Sequence, residues 1–298
     1  MNRTNRTERL SFLLMLLAAC GGGEADAGTV RIELHAEDSI TNGLSTGSDV
    51  ENTKDYAVSY SKFIVTVGNL QLGQSTSGKH LQSETLSVVD LTRVGEQGVE
   101  IATFERVRAG QWDRFGFETA TANKGVRAIE VDPGDVEQMI EHGWTYWIEG
   151  RVERTPREGG PVDFVLQTAV PTLFDNCELD GEPGLTVVAN QTATGDITIH
   201  GDHLWFNSFP TGSEGSVERR SAWLVQADTD GDGRVSTEDL AALDATEVFT
   251  TELGYSLDGA PPGIVIDNAL DFVRAQLATQ GHFKGEGECI WHYEPAPP

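Results

Sequence analysis

Hydrophobic residues recur at every second position through most of the first two-thirds of the chain. Val30, Ile32 and Leu34 alternate with Arg31, Glu33 and His35, and Phe63, Val65 and Val67 carry the pattern toward Leu70 and Leu72. A period of two puts one face of a strand against a core and the other in water, so these segments predict half-buried β-strands. Further strands are predicted over 86–91, 100–104, 111–119, 144–152, 162–170, 185–189 and 196–205. Short strands separated by Gly, Asn, Asp and Pro predict a mostly β fold, an antiparallel β-sandwich. One helix is expected to interrupt it. Asp132 can cap, Pro133 suits the first helical position, and Val136, Met139 and Ile140 form an apolar edge that Gly143 ends.

From about Ser216 the period changes to that of helices. Segments 218–227 and 236–243 flank an acidic loop, and Asp267 is placed to cap a helix that carries Leu270, Val273 and Leu277 on one face until Gly281. The expected organisation is a sandwich over 29–210 and a small C-terminal, helical, EF-hand-like region over 211–298.

The amino terminus reads as an export signal. A basic stretch ends at Arg9, an apolar run follows from Leu10 to Leu17, and Leu17-Ala18-Ala19-Cys20 comes next, with Gly21, Gly22 and Gly23 behind it. The run is too short to span a bilayer, so residues 1–19 are expected to be a signal peptide. Its end resembles the lipobox of bacterial lipoproteins, which implies that the Cys20 thiol carries a diacylglyceryl group and that the membrane is met through acyl chains. Residues 20–28 are small and polar and read as a flexible tether. Gly21 is not the Asp that often retains lipoproteins at the inner membrane. The expected location is therefore the cell envelope, as an outer-membrane lipoprotein facing the periplasm or the surface.

Charge narrows the list of partners. The 298 residues include 21 Lys plus Arg against 47 Asp plus Glu, a formal net charge of −26. Removing residues 1–19 takes away Arg3, Arg6 and Arg9 but only Glu8, which leaves the rest more acidic still. Nucleic acid is excluded as the main partner, and divalent cations are favoured. With 38% hydrophobic and 8% aromatic residues the chain is too apolar for a disordered acidic tail. Once Cys20 is lipidated only Cys177 and Cys289 remain, and in an oxidising envelope that pair is expected to form a disulfide.

The runs IVTVGNLQLG (64–73), SVVDLT (87–92) and RVRAGQWDRFGFE (106–118), with the turn Ala109-Gly110-Gln111-Trp112, resemble bacterial lipoprotein domains of unknown function that have a prealbumin-like sandwich. The resemblance implies a fold and no activity. HGDHLWFNSF, DTDGDGRVSTEDL and GHFKGEGEC resemble an arrangement found in other secreted bacterial lipoproteins.

The most specific chemical motif is the twelve-residue run from Asp228 to Asp239. A hard Ca²⁺ ion takes six to eight oxygens, and such a loop supplies them at positions 1, 3 and 5, the carbonyl of 7, position 9 and a carboxylate at 12. Those positions are Asp228, Asp230, Asp232, Arg234, Ser236 and Asp239, with Gly233 at the sharp turn and Val235 free to bury. Leu224 and Ala227 lie just before the loop, as the first helix of an EF-hand requires. The loop ends in Asp instead of the commoner Glu, as in dockerin modules, which puts the expected affinity near 10⁻⁴ to 10⁻³ M, the weak extracellular range.

A second constellation is His200, Asp202 and His203. Imidazole with carboxylate suits Zn²⁺ or Cu²⁺, and His282, with Glu286 and His292, can complete a site if the disulfide brings that segment near. Surface or hydrogen-bonded core histidines are the alternative. Catalytic motifs are thin: Gly43-Leu44-Ser45-Thr46-Gly47 fits G-x-S-x-G without its strand and helix, and there is no H-E-x-x-H, P-loop or dinucleotide glycine pattern. Trp144, Tyr146 and Trp147 suggest either glycan stacking or packing between a sheet and the helical part. The expected function is a lipid-anchored, calcium-binding cell-envelope protein, non-catalytic. The rival readings are a zinc- or copper-binding protein and a carbohydrate-binding or adhesive module with a glycan or protein partner.

Overall fold

The computed structural model describes residues 26–209 and 217–293. The signal segment and the lipidation residue Cys20 lie outside the described residues.

The period-two pattern at the start of the chain makes β1 (Ala27–Ala36), in which Val30, Ile32 and Leu34 are fully buried and Arg31 is exposed. β1 sits inside a four-stranded sheet. Its neighbours are β4 (Val99–Arg108), antiparallel, and β13 (Thr192–Ile199), parallel, with β15 (Gly281–Phe283) beyond β13. A short helix, α1 (Asp38–Asn42), follows β1.

β2 (Ala57–Gln74) is the spine of the larger sheet. One edge pairs with β3 (Lys79–Asp90), and the other pairs first with β8 (Tyr146–Glu153) and then with β6 (Arg114–Thr119). Beyond β8 come β9 (Val162–Thr168) and β14 (Arg234–Val235), and beyond β6 come β10 (Thr172–Leu179) and β11 (Glu182–Pro183). β7 (Arg127–Ile129) runs beside β3, β16 (Glu288–Tyr293) pairs with β10, and β5 (Gly110–Trp112) pairs with β12 (Leu185–Val187).

The two sheets share one core. Val30, Ile32, Leu34, Ile197 and Ile199 of the small sheet cluster with Phe63, Val65, Phe115, Phe117 and Phe174 of the large one. The run Phe63–Gly68 is buried without interruption, because the spine is covered on both faces. On the outer side, Ile64 and Val88 meet Met139 of α2 (Pro133–His142). Pro133 opens this helix and Gly143, left-handed at φ 64°, closes it. Asp132 stands at the N-cap position without a side-chain cap bond, since its carboxylate is held by Arg93 at 2.6 Å.

Several expectations are corrected. The sheets are mixed rather than antiparallel: β1 with β13, β3 with β7 and β9 with β14 run parallel. Each of these pairs is joined by a long crossover, which a period-two pattern cannot reveal. The strand expected over 196–205 stops at Ile199, and Asp202–Trp205 forms a buried 3₁₀ turn. The helix expected from residue 218 is α3 (Ala222–Ala227), because Arg219 is held extended in bridges to Thr53 and Phe206. α4 (Thr237–Ala242) and α5 (Ala245–Val248) follow, and α6 (Ala269–Leu277) is capped by Asn268, not Asp267. The segment after Val217 is also not purely helical, for β14 and β16 extend the large sheet and β15 the small one. Cys177 and Cys289 are bonded, across β10 and β16, where the register breaks between Asp175 and Glu178.

Candidate functional site

Two of the groups of side chains that could hold a metal ion contain the residues singled out in the sequence. The first is the acidic loop. α3 buries Trp223, Leu224 and Ala227, and the chain leaves it at Asp228. Gly231 and Gly233 take positive φ, 73° and 80°, a conformation in which side chains are strained. The loop then closes on its own amides. Gly233 N donates to Asp228 Oδ2 at 3.2 Å, Asp232 N to Asp230 Oδ1 at 3.2 Å and Arg234 N to Asp232 Oδ1 at 2.7 Å. One oxygen from each of Asp228, Asp230 and Asp232 lies within 4.8 Å of the others. Asp228 Oδ1 is buried and accepts no hydrogen bond.

The far end of the loop is pinned to the large sheet. Arg234 and Val235 pair with Asp163 and Phe164, and Gly233 O accepts from Asp163 N at 2.9 Å. Val235 is fully buried, and Thr237 Oγ1 accepts from Gln167 N at 3.0 Å. Ser236 and Asp239 form a capping box on α4: Ser236 N and Oγ donate to Asp239 Oδ2 at 2.8 and 2.7 Å, and Asp239 N donates back to Ser236 Oγ. The structure thus gathers three of the four carboxylates at the loop's ligand positions and gives one oxygen of Asp239 to the cap.

The second cluster is buried. Gly201 turns the chain after β13, packed so closely on Ile40 that an added Cβ would stand 2.6 Å from its Cγ1. The turn sets the rings of His200 and His203 5.6 Å apart, centre to centre. β15 pairs with β13 and brings His282 against both, with ring centres 4.1 Å from His200 and 5.1 Å from His203. All three histidines are buried, and one nitrogen from each lies within 4.8 Å of the others. His200 is also grouped with Glu37 and Asp202.

A polar network frames these rings. Arg219 Nε donates to Asp202 Oδ2 at 2.7 Å, its Nη2 donates to the same oxygen, and its other bonds reach Val50 O and Glu51. Trp205 Nε1 donates to Tyr60 Oη at 2.8 Å, and Tyr60 Oη donates to Gly201 O at 2.6 Å. Burial pushes the Asp202 carboxyl up, but His203, Arg219 and His200 outweigh it and hold the group below the usual carboxylate range. Burial, joined by repulsion from His200 and His203, pushes the His282 ring well below its ordinary value and so toward the neutral form. Burial and the neighbouring Asp202 charge raise Glu37.

Glu286 does not join this cluster, because it is exposed at the turn between β15 and β16. His292 lies on β16, 3.4 Å from Asp175. Glu37, Arg219, Tyr60 and Thr279, which contacts His203, gave no signal in the sequence, since each reaches the site through tertiary packing alone. The aromatic trio is split: alternation sends Tyr146 and Trp147 to opposite faces of β8, and Trp144 lies just before the strand. Tyr146 is buried in the main core, while Trp144 and Trp147 pack edge to face, 5.7 Å apart, in the cluster under α2. Among the described residues no helix is long and apolar enough to cross a membrane. Comparison of the chain with protein-family models, with curated proteins and with solved structures finds no match in any of the three.

Proposed function

We propose that this chain is a lipid-anchored, calcium-binding protein of the bacterial cell envelope, a non-catalytic binding protein with a sandwich-like body. The observation that carries the calcium reading is the approach of Asp228, Asp230 and Asp232 to within 4.8 Å of one another, with one buried Asp228 oxygen that lacks any hydrogen-bond donor. A buried carboxylate oxygen left without a partner is costly, and a hard cation satisfies it. The Gly233 amide turned onto Asp228, with Gly233 at positive φ, supports an EF-hand-like loop. Asp228, Asp230 and Asp232 would supply side-chain oxygens and Arg234 its carbonyl, with Ser236 and the second oxygen of Asp239 completing the shell. The ion would fasten the loop between α3 and the large sheet.

Calcium titration tests the reading. An ion that binds only the folded state stabilises it by roughly 1.4 kcal/mol at ten times Kd. Millimolar Ca²⁺ is expected to raise the thermal midpoint, and Asp228→Ala with Asp232→Ala to abolish the rise. Calorimetry with no binding heat and no shift at millimolar Ca²⁺ would leave the loop an acidic turn. The anchor rests on Leu17-Ala18-Ala19-Cys20. Cys20→Ser is expected to move the protein from the membrane fraction to the soluble one, and unchanged fractionation with an unmodified Cys20 in mass spectrometry would refute it.

A further inference from the structure

We propose that His200, His203 and His282 form a buried site for one borderline transition-metal ion, Zn²⁺ or Cu²⁺, separate from the acidic loop. The argument starts from where the ring protons sit. Thr279 Oγ1 donates to the Gln276 carbonyl at 2.8 Å, so toward His203 Nδ1, 2.9 Å away, it acts as acceptor. His203 therefore carries its proton on Nδ1, and its Nε2 presents a lone pair. That nitrogen accepts from Nε2 of His282 at 3.3 Å, so a metal bound between them would take the place of that ring proton. Two nitrogens bound at about 2.0–2.1 Å to one tetrahedral Zn²⁺ are roughly 3.3–3.4 Å apart, so this pair already has the spacing of two corners of such a site.

His200 supplies the third imidazole. Its Nε2 faces the carbonyl of Gly285 at 3.1 Å, and a carbonyl can only accept, so the proton is on Nε2 and the lone pair on Nδ1. That Nδ1 lies 3.9 Å from Asp202 Oδ1, a buried oxygen with no hydrogen-bond donor that neighbours His200 but lies outside the histidine triad. The His200 ring leans over His282 with planes 34° apart and centres 4.1 Å apart.

Charge favours a metal over a cluster of imidazolium ions. Arg219 bonds Asp202 Oδ2, so the carboxylate has a permanent cation beside it, and one divalent ion on three neutral rings buries less charge than three imidazolium ions would. The contact from His203 Nδ1–H to Thr279 fixes ring orientation, as outer partners of metal-bound histidines commonly do. Nitrogen ligands select Zn²⁺ or Cu²⁺ over Ca²⁺, so the two clusters would not compete for one ion.

The test is metal analysis of the full chain, expressed in medium supplemented with zinc or copper and dialysed into excess Ca²⁺. One ion per chain is expected. His203→Ala and His282→Ala should each lose it while keeping the wild-type circular dichroism and the intact disulfide, and His200→Ala should weaken it. Thr279→Val, which preserves side-chain volume, should cost about 10–100-fold in affinity measured by chelator competition. Wild-type protein with no ion above a chelator-treated blank would overturn the proposal. So would folded His203→Ala or His282→Ala protein with full metal content, or a Thr279→Val affinity equal to wild type.

Discussion

Arg219→Met will destabilise the fold by about 3–5 kcal/mol, because it leaves a buried carboxylate without its counter-charge. Arg219 and Asp202 are only 5% and 3% exposed, and two guanidinium nitrogens bond to the same Asp202 oxygen. The guanidinium also lies over the Phe206 ring, 5.0 Å from its centre, and reaches Val50 O, so it ties the turn after β13 to the loop that precedes β2. The gain from such a pair is partly spent on desolvating both ions, so removing both charges costs less than removing one. Asp202→Leu combined with Arg219→Met should therefore recover much of the loss. Urea unfolding at neutral pH with the disulfide intact reads both. A single variant within about 1 kcal/mol of wild type would show that Asp202 is not the charged, dependent partner described here.

The second large effect is expected at the disulfide. Cys177 and Cys289 are 112 residues apart, and the chain-entropy estimate for closing a loop of that order is roughly 4.7 kcal/mol. Cys177→Ser with Cys289→Ser should lower the denaturant midpoint by the equivalent of about 2–5 kcal/mol, with β16 as the strand released. Cys177 is fully buried and Cys289 nearly so, so the native protein should resist thiol reductants until it unfolds. A midpoint equal to wild type, or free thiols in protein isolated under oxidising conditions, would count against this account.

The segments best read in advance are those whose local pattern and tertiary role agree. β1 alternates because one face is in the core, and α2 begins and ends where Pro133 and Gly143 require. β10 carries no clean alternation, for a physical reason. Its inward residues are Thr172, Phe174 and Cys177, so the alternation slips where Asn176 adopts φ 48° and the register breaks. β16 pairs with that irregular edge and carries no clean alternation of its own. The acidic loop was legible because its spacing is local. For the histidines, His200, Asp202 and His203 stood out in the sequence, whereas Thr279 and Arg219 acquire their roles only when β15 returns to β13 and residue 219 is drawn against Thr53. Parallel pairing is illegible for the same reason, since nothing in β1 names β13 as its neighbour.

That pairing has a kinetic consequence. Thr29 meets Thr192 and Ala36 meets Ile199, so β1 cannot complete its sheet until most of the chain has been delivered. Contacts so distant in sequence repay their loop-closure entropy late, and folds that depend on them are slow. While β1 waits, one of its edges stays open, an opportunity for mispairing with another chain.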